Sequence, residues 1–357
     1  MAPNIRNEID SSISQISLSS NTKKSSSQRS LVDTKTTTYD TNSISVSLEV
    51  YDRFLPWIGI MVWPFMILLP LVLSNPLFEN NVCHYSKLFS PSSYEYDFSS
   101  GDRPKPLGLI LGVLCVAIGQ FFSICFFYFH KHWFYSSRSK ANEASSPPPI
   151  QAKGAPNYNY FDGVSSHASS PEGIIFLAMY LSMTWMLRLM PPSYYSLEGF
   201  IDFFKVFRCL AIQDGLQYIM HRLEHIAPTF YKYSHKPHHK FTNPKLFDAF
   251  DGSVADTFAM ILIPLFCTAW LVPTCNVWTY MAFGSIYANW LTLIHSEYPF
   301  PWDKLFRTVG FGTPGDHHVH HKFFKYNFGH LFMWYDWIFG TYRDPMEFAP
   351  KVFTTHV

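Results

Sequence analysis

Two histidine groups fall within nineteen residues: His221-Arg222-Leu223-Glu224-His225 and, ten residues further on, His235-Lys236-Pro237-His238-His239. Side chains at i and i+4 share a face only on a helix, so the first group asks for one. The second sets a histidine three residues before an adjacent pair, so its rings can arrive from another direction. Ten residues suffice to turn the chain and bring both groups to one place. Neutral imidazole is the commonest side-chain metal ligand, because one ring nitrogen binds while a hydrogen bond fixes the other. This stretch therefore constrains the fold to a helix followed by a turn, both ending at a metal.

The rest of the chain must carry that site. Aromatic residues make up 18% of the 357 residues and charged ones only 15%, and the apolar residues come in long runs. Such a chain belongs in a bilayer. The expected fold is all-α: a multi-pass transmembrane helical bundle with a cytosolic, histidine-rich metal cap. A net charge of +1 offers no basic field for nucleic acid. Cys83, Cys115, Cys125, Cys209, Cys267 and Cys275 show no CxxC spacing and read as small buried apolar residues.

Residues 1–50, rich in Ser, Thr, Asn and Lys, cannot offset their ordering entropy by apolar burial and read as a disordered cytosolic tail. Residues 51–133 hold an N-terminal transmembrane pair, 54–74 and 107–129, and His130-Lys131-His132-Trp133 at its end reads as an interfacial anchor. Residues 134–172, with three consecutive prolines at 147–149, form a flexible linker. The catalytic domain spans 173–345, and 346–357 is a C-terminal tail. Within that domain, 173–190 is a third span stopped by Arg188 and Pro191-Pro192. A helix over 197–220 carries Asp202, Lys205, Arg208 and Asp214, too polar to face lipid all round, and delivers His221 at its end. A hairpin of 254–271 and 276–294, broken at Pro273, returns the chain to His295-Ser296. Five Lys or Arg in 221–253 and six after His295 mark the histidine side as cytosolic.

A third group, His317, His320 and His321, repeats the HxxHH spacing of the second. With His295 the three groups supply nine candidate ligands, enough for two metals with open positions; zinc, copper, iron and nickel all suit imidazole. Histidines crowded at one membrane face would repel if charged and serve nothing if unbound. His84, His167 and His356 read as bystanders in loops or tails, while His318 and His330 adjoin the site outside the repeated spacing. Asp214 lies two turns before His221 on the same helical face, where it can orient that imidazole, pair with Arg208 or line the bundle. Tyr218 reads as packing, and Arg222 and Lys236 as facing lipid headgroups.

HxxxH, HxxHH, a lone histidine at a helix end and a second HxxHH are followed by Asn327-Phe328-Gly329 and by Asp336-x-x-Phe-Gly-Thr341. This arrangement resembles the fatty acid hydroxylase and sterol desaturase superfamily over residues 170–345, closest to its sterol C5-desaturase and C4-methyl sterol oxidase branches. The resemblance implies that His221, His225, His235, His238, His239, His295, His317, His320 and His321 ligate a non-haem di-iron centre, with zinc as a substitute metal. It implies O2-dependent hydroxylation or desaturation of a sterol or long-chain acyl lipid at the endoplasmic reticulum membrane, with electrons from cytochrome b5 and its reductase. Many sterol-branch members carry a further histidine after the second group; Asp251 stands in that place here, and a carboxylate can bind iron. With no His-Pro-Gly-Gly haem segment and no nicotinamide site expected, a redox partner is required. A zinc-containing membrane hydrolase and a catalytically silent lipid-binding relative are the alternatives.

Overall fold

The computed structural model describes residues 63–76, 89–93, 99, 101, 103–129, 150–151, 159–169, 175–300 and 302–348. Among these the chain is helical and forms no strand; Phe311 and Phe332 pair only in an isolated antiparallel bridge. The N-terminal tail, the C-terminal tail beyond residue 348, His84, His130, His132, His356 and Cys83 lie outside the described residues.

Small side chains decide how the first helices meet. Helix α1 (Trp63–Ser74) crosses α2 (Pro106–Phe129), whose buried stripe is Gly108, Gly112, Cys115, Gly119 and Ser123. A Cβ on Gly119 would stand 2.4 Å from the Ile67 carbonyl of α1, and one on Gly112 would stand 3.0 Å from Met281. Close helix approach requires such residues.

Helix α3 (Tyr160–Ser169) lies inside the stretch expected as a linker. It forms because it has something to bury: the Tyr160 hydroxyl donates to the Ile124 carbonyl at 2.7 Å, and His167 packs on Phe247 and Phe250. His167 is thus a buried packing residue. Helix α4 (Phe176–Met186) is shorter than the expected third span. Arg188 turns the chain at φ 59°, and a 3-10 turn over Pro192–Tyr195 follows.

Helix α5 (Phe203–Ile226) starts six residues later than the apolar pattern suggests. Gly199 takes φ +77°, and the carbonyls of Glu198, Gly199 and Phe200 accept from the Asn276 side chain instead of starting a helix. Asp202 then caps α5 by accepting from the Lys205 N–H. At its other end α5 continues beyond His221 and so carries His225 too. Helix α6 (Pro228–Tyr233) and 3-10 turns at His238–Lys240 and Leu246–Phe250 lead to α7 (Val254–Leu271). Residues Thr257–Leu262 of α7 are π-helical. Pro264 has no N–H for the Met260 carbonyl, which accepts the side-chain amide of Gln217.

Helix α8 (Val277–Ile294) is the axis of the bundle, buried along almost its whole length and packed on α2 and α5. The remaining helices are α9 (Asp303–Thr308), α10 (Pro314–Phe323), α11 (Trp334–Ile338) and α12 (Pro345–Phe348). Helices α2 and α7 are long and apolar enough to cross a membrane. Ile110, Leu114 and Phe121 of α2 and Phe258, Ile263 and Trp270 of α7 are exposed, a surface better matched to lipid than to water. The five described cysteines are unbridged, and Cys115, Cys209 and Cys275 are buried.

Candidate metal centre

Four segments converge on one end of the bundle. Helix α5 presents His221 and His225, the turn after α6 presents His235, His238 and His239, His295 caps the C-terminus of α8, and α10 presents His317, His320 and His321. Helix α10 is held at its start by a reciprocal cap: Thr313 and Asp316 each accept from the other's backbone N–H.

The nine imidazoles sort into two groups, each with its ligand atoms within 4.8 Å of one another. One holds His221, His225, His235, His239 and His320; the other holds His238, His295, His317 and His321. Neither group comes from a single sequence motif, because both HxxHH motifs divide their histidines between the two. In the first group the Nε2–Nε2 separations are 2.9 Å for His221–His235, 3.1 Å for His225–His239 and 3.0 Å for His239–His320. In the second they are 3.3 Å for His238–His295 and 3.0 Å for both His295–His317 and His317–His321.

The His238–His295 contact is not a hydrogen bond between imidazoles. The Nδ1–H of His238 donates to the Asp251 carbonyl at 3.1 Å, and that of His295 to the Leu291 carbonyl at 2.7 Å. The His221, His320 and His321 Nδ1–H groups donate to the carbonyls of Phe328, Tyr326 and Phe241. A carbonyl only accepts, so these neutral rings carry their proton on Nδ1 and present a lone pair at Nε2. His238 and His295 therefore point lone pair at lone pair, which repels unless a cation lies between them. Metal–imidazole bonds of about 2.0–2.1 Å place neighbouring nitrogens about 3 Å apart, the spacing seen here. Burial, followed by the other imidazoles, holds His235, His239, His317, His320 and His321 well below the ordinary histidine range, and burial takes His238 down to about 4. The rings are neutral at pH 7, as ligands must be. The donor set fits two metal ions.

Groups behind the imidazoles set their orientation. His235 Nδ1–H donates to Asp256 at 2.9 Å and lies 3.5 Å from Glu224, whose other oxygen accepts from the Ser234 hydroxyl. Glu224 and Asp256 escape the sequence reading; the available signal is a glutamate enclosed between two ligand histidines on one helix. The Asn-Phe-Gly and Asp-x-x-Phe-Gly-Thr motifs turn out to be a clamp. Asp336 accepts from the N–H groups of Phe328 and Gly329 at 2.9 and 2.7 Å, fixing the carbonyl that orients His221. Asn327, at φ 53°, donates to the Asp316 and Arg343 carbonyls.

Two acidic residues sit elsewhere than expected. Asp214 does not touch His221; its carboxylate accepts the backbone N–H of His330, Leu331 and Phe332 and the Tyr287 hydroxyl. Asp214 thus anchors the segment after the Asn-Phe-Gly motif, because the Phe328 carbonyl already occupies the His221 Nδ1–H. Asp251 is not positioned as a ligand: its carboxylate pairs with Lys240 at 2.9 Å near the surface, and only its carbonyl meets a histidine. His318 turns away from both groups, donating to the Ser296 carbonyl and accepting from Gln151. Tyr218 packs as expected, stacked on Phe339 and bonded to Thr341. Arg222 lies over the exposed Phe339 ring and donates to the Tyr218 hydroxyl, and Lys236 is exposed. Residues 310–315 spell Gly-x-Gly-x-x-Gly, a pattern the sequence reading overlooks, but they follow helix α9 and open α10 with no preceding strand, so no dinucleotide site forms.

Beside the clustered imidazole nitrogens is a cavity of about 40 Å³, with His235, His238, His295 and His330 in its wall. Phe250, Ile261 and Leu291 separate it from an apolar cavity of about 100 Å³ between α2, α4, α5, α7 and α8.

Comparison with known proteins bears on this arrangement. The family model described as fatty acid hydroxylase matches residues 206–341. The chain is 57% identical over 302 residues to a protein named alternative squalene epoxidase from Phaeodactylum tricornutum, covering 84% of each chain. It is 33% identical over 132 residues to a Delta(7)-sterol-C5(6)-desaturase of Nicotiana tabacum, covering 36% of this chain and 46% of that one. It is 28% identical over 190 residues to methylsterol monooxygenase 1 of Gallus gallus, covering 50% and 57%. No solved structure gives a significant match.

Proposed function

The chain belongs to the fatty acid hydroxylase and sterol desaturase superfamily, and on that footing we propose that it is a membrane-bound di-iron oxidoreductase that epoxidises squalene with O2. One oxygen atom enters an alkene of the hydrocarbon and the other leaves as water, with two electrons and two protons from an external carrier. The observation that carries the reading is the convergence of nine buried or half-buried imidazoles on two points, with the Nε2 lone pairs of His238 and His295 facing one another.

Squalene is preferred over a sterol because the likeness to the diatom epoxidase runs through most of both chains, while the sterol enzymes match over about half of theirs. The two adjoining cavities suit a hydrocarbon, since the larger is lined almost wholly by apolar side chains and the smaller opens toward the imidazoles. Iron, when bound, supplies the activation of O2, chemistry that no side chain offers. The nine imidazoles would hold it, the Asp336 clamp keeps His221 in place, and Phe250, Ile261 and Leu291 keep water from the reacting carbon. Helices α2 and α7 cross the endoplasmic reticulum membrane in this reading, with the histidine end in the cytosol, where cytochrome b5 and its reductase deliver electrons.

The test is turnover by the purified protein in lipid nanodiscs, with metal content measured alongside. About two irons per chain, and a reductant- and O2-dependent gain of one oxygen by squalene, are expected. Iron-loaded protein that leaves squalene untouched but oxidises a methylsterol would move the substrate to the sterol branch. Zinc that iron cannot replace, with hydrolysis independent of O2, would overturn the oxygenase.

A further inference from the structure

His330 belongs to neither histidine group, yet it lines the cavity beside them. Its ring stacks on His221 with centroids 4.9 Å apart and lies 5.4 Å from His317. It is 6% exposed, and its Nδ1 is buried without a partner. The other polar side chains in the cavity wall that are not candidate ligands are already engaged. Gln217 joins the Met260 carbonyl to the Tyr287 hydroxyl, Asp256 accepts from His235, and the Thr257 hydroxyl donates to the Ser253 carbonyl.

This ring is placed by construction. Its own N–H and the next two donate to Asp214 at 3.3, 2.7 and 2.9 Å, so helix α5 holds the segment bearing His330 as well as His221 and His225. A buried polar nitrogen with no partner costs free energy, and native structures rarely keep one without use.

We propose that His330 is a further catalytic residue whose imidazole N–H bonds the oxygen atom newly placed on the lipid. This rests on the squalene reading above. A pure hydrocarbon brings no acceptor of its own, so on such a substrate the acceptor for His330 is the oxygen the reaction adds. With its proton on the unpartnered Nδ1, the neutral His330 ring has a donor free for that oxygen. The residue thereby marks where the reacting carbon lies: in the small cavity, beyond Phe250, Ile261 and Leu291.

The experiment measures binding without turnover. Metal-loaded protein in nanodiscs, without reductant, is titrated with squalene and with its terminal epoxide, for wild type, His330→Phe and His330→Gln. Wild type is expected to prefer the epoxide by about tenfold, the worth of one added hydrogen bond. His330→Phe should bring that preference to about one while keeping its metal and its squalene affinity, and His330→Gln should restore part of it. A His330→Phe protein that loses metal would make the residue a ligand, and one that keeps the full preference would make it packing; either overturns the inference. Should His330→Phe fail to fold, His330→Leu replaces it under the same criteria. Wild type that binds neither lipid breaks the squalene reading itself, whereas wild type that binds both equally breaks only the role of His330.

Discussion

The two histidine groups share two of their four supporting segments, the turn after α6 and helix α10, but are backed differently. Behind the five-membered group, the Asp256 and Glu224 carboxylates face His235. His221 and His320 rest on backbone carbonyls, as His238, His295 and His321 of the four-membered group do, and His239 and His317 each leave Nδ1 without a partner, so the difference lies at His235. A carboxylate behind an imidazole raises its basicity as a ligand. The first group should thus hold its metal more tightly and has a ligand to spare, while the second has neither advantage. One pair of repeated motifs has given two unequal sites.

The largest effect tests that inequality. His238→Ala leaves three imidazoles in the smaller group, and we expect turnover to vanish and about one of two metals to remain in metal analysis. Loss of both metals together would show that the groups are one cooperative site. Next, Asp256→Asn or Glu224→Gln should weaken metal binding or activity about 10–100-fold. Chelator competition should place that loss in the larger group, and an equal loss from both would break the comparison. His225→Ala should do less, because His225 is half-buried and four ligands stay in its group; retention of both metals with faster release of one is the expected result.

Acidity offers a smaller lever on both groups. In metal-free protein His238 is held down at about 4 by burial, so between there and its unfolded value of about 6.5 the unfolded chain binds more protons. Stability should then rise as pH climbs through that window and level off above it, as thermal melts of stripped protein can show. A flat profile would mean that the cap opens to water without metal. Smallest of all, His318→Gln should cost about 1 kcal/mol of stability by weakening its bonds to Ser296 and Gln151. Metal content should not change; if it falls, His318 supports the centre more directly than its contacts show.

Local pattern was readable where chemistry and spacing coincide. His221 and His225 share a helix face, HxxHH recurs, and the apolar run over 107–129 is a helix. Boundaries went astray where one residue overrides a run: Gly199 delays α5, and Arg188 shortens α4. Helix α3 was hidden because Tyr160 and His167 look unremarkable in a Ser-rich stretch until Phe247 and Phe250 come to cover them. Asp214 and Asp251 show the limit of linear distance. Each is near a ligand along the chain, yet the Phe328 carbonyl and Lys240 respectively claim the contacts that would have tied them to the metals.

The nine histidines and the helix face shared by His221 and His225 follow from the sequence, because residue type and short-range spacing are local properties, whereas burial in the fold is what keeps the rings neutral. Their division into five and four, the carboxylate pair behind His235 and the approach of His330 to the cavity were decided only by tertiary structure. Ring nitrogens meet across separations such as His239 to His320 or His238 to His295, and the crossing of α5, α8 and α10 sets which pairs come within 3 to 3.3 Å. Spacing along a chain names the face on which a ligand stands; the packing of helices names its partner.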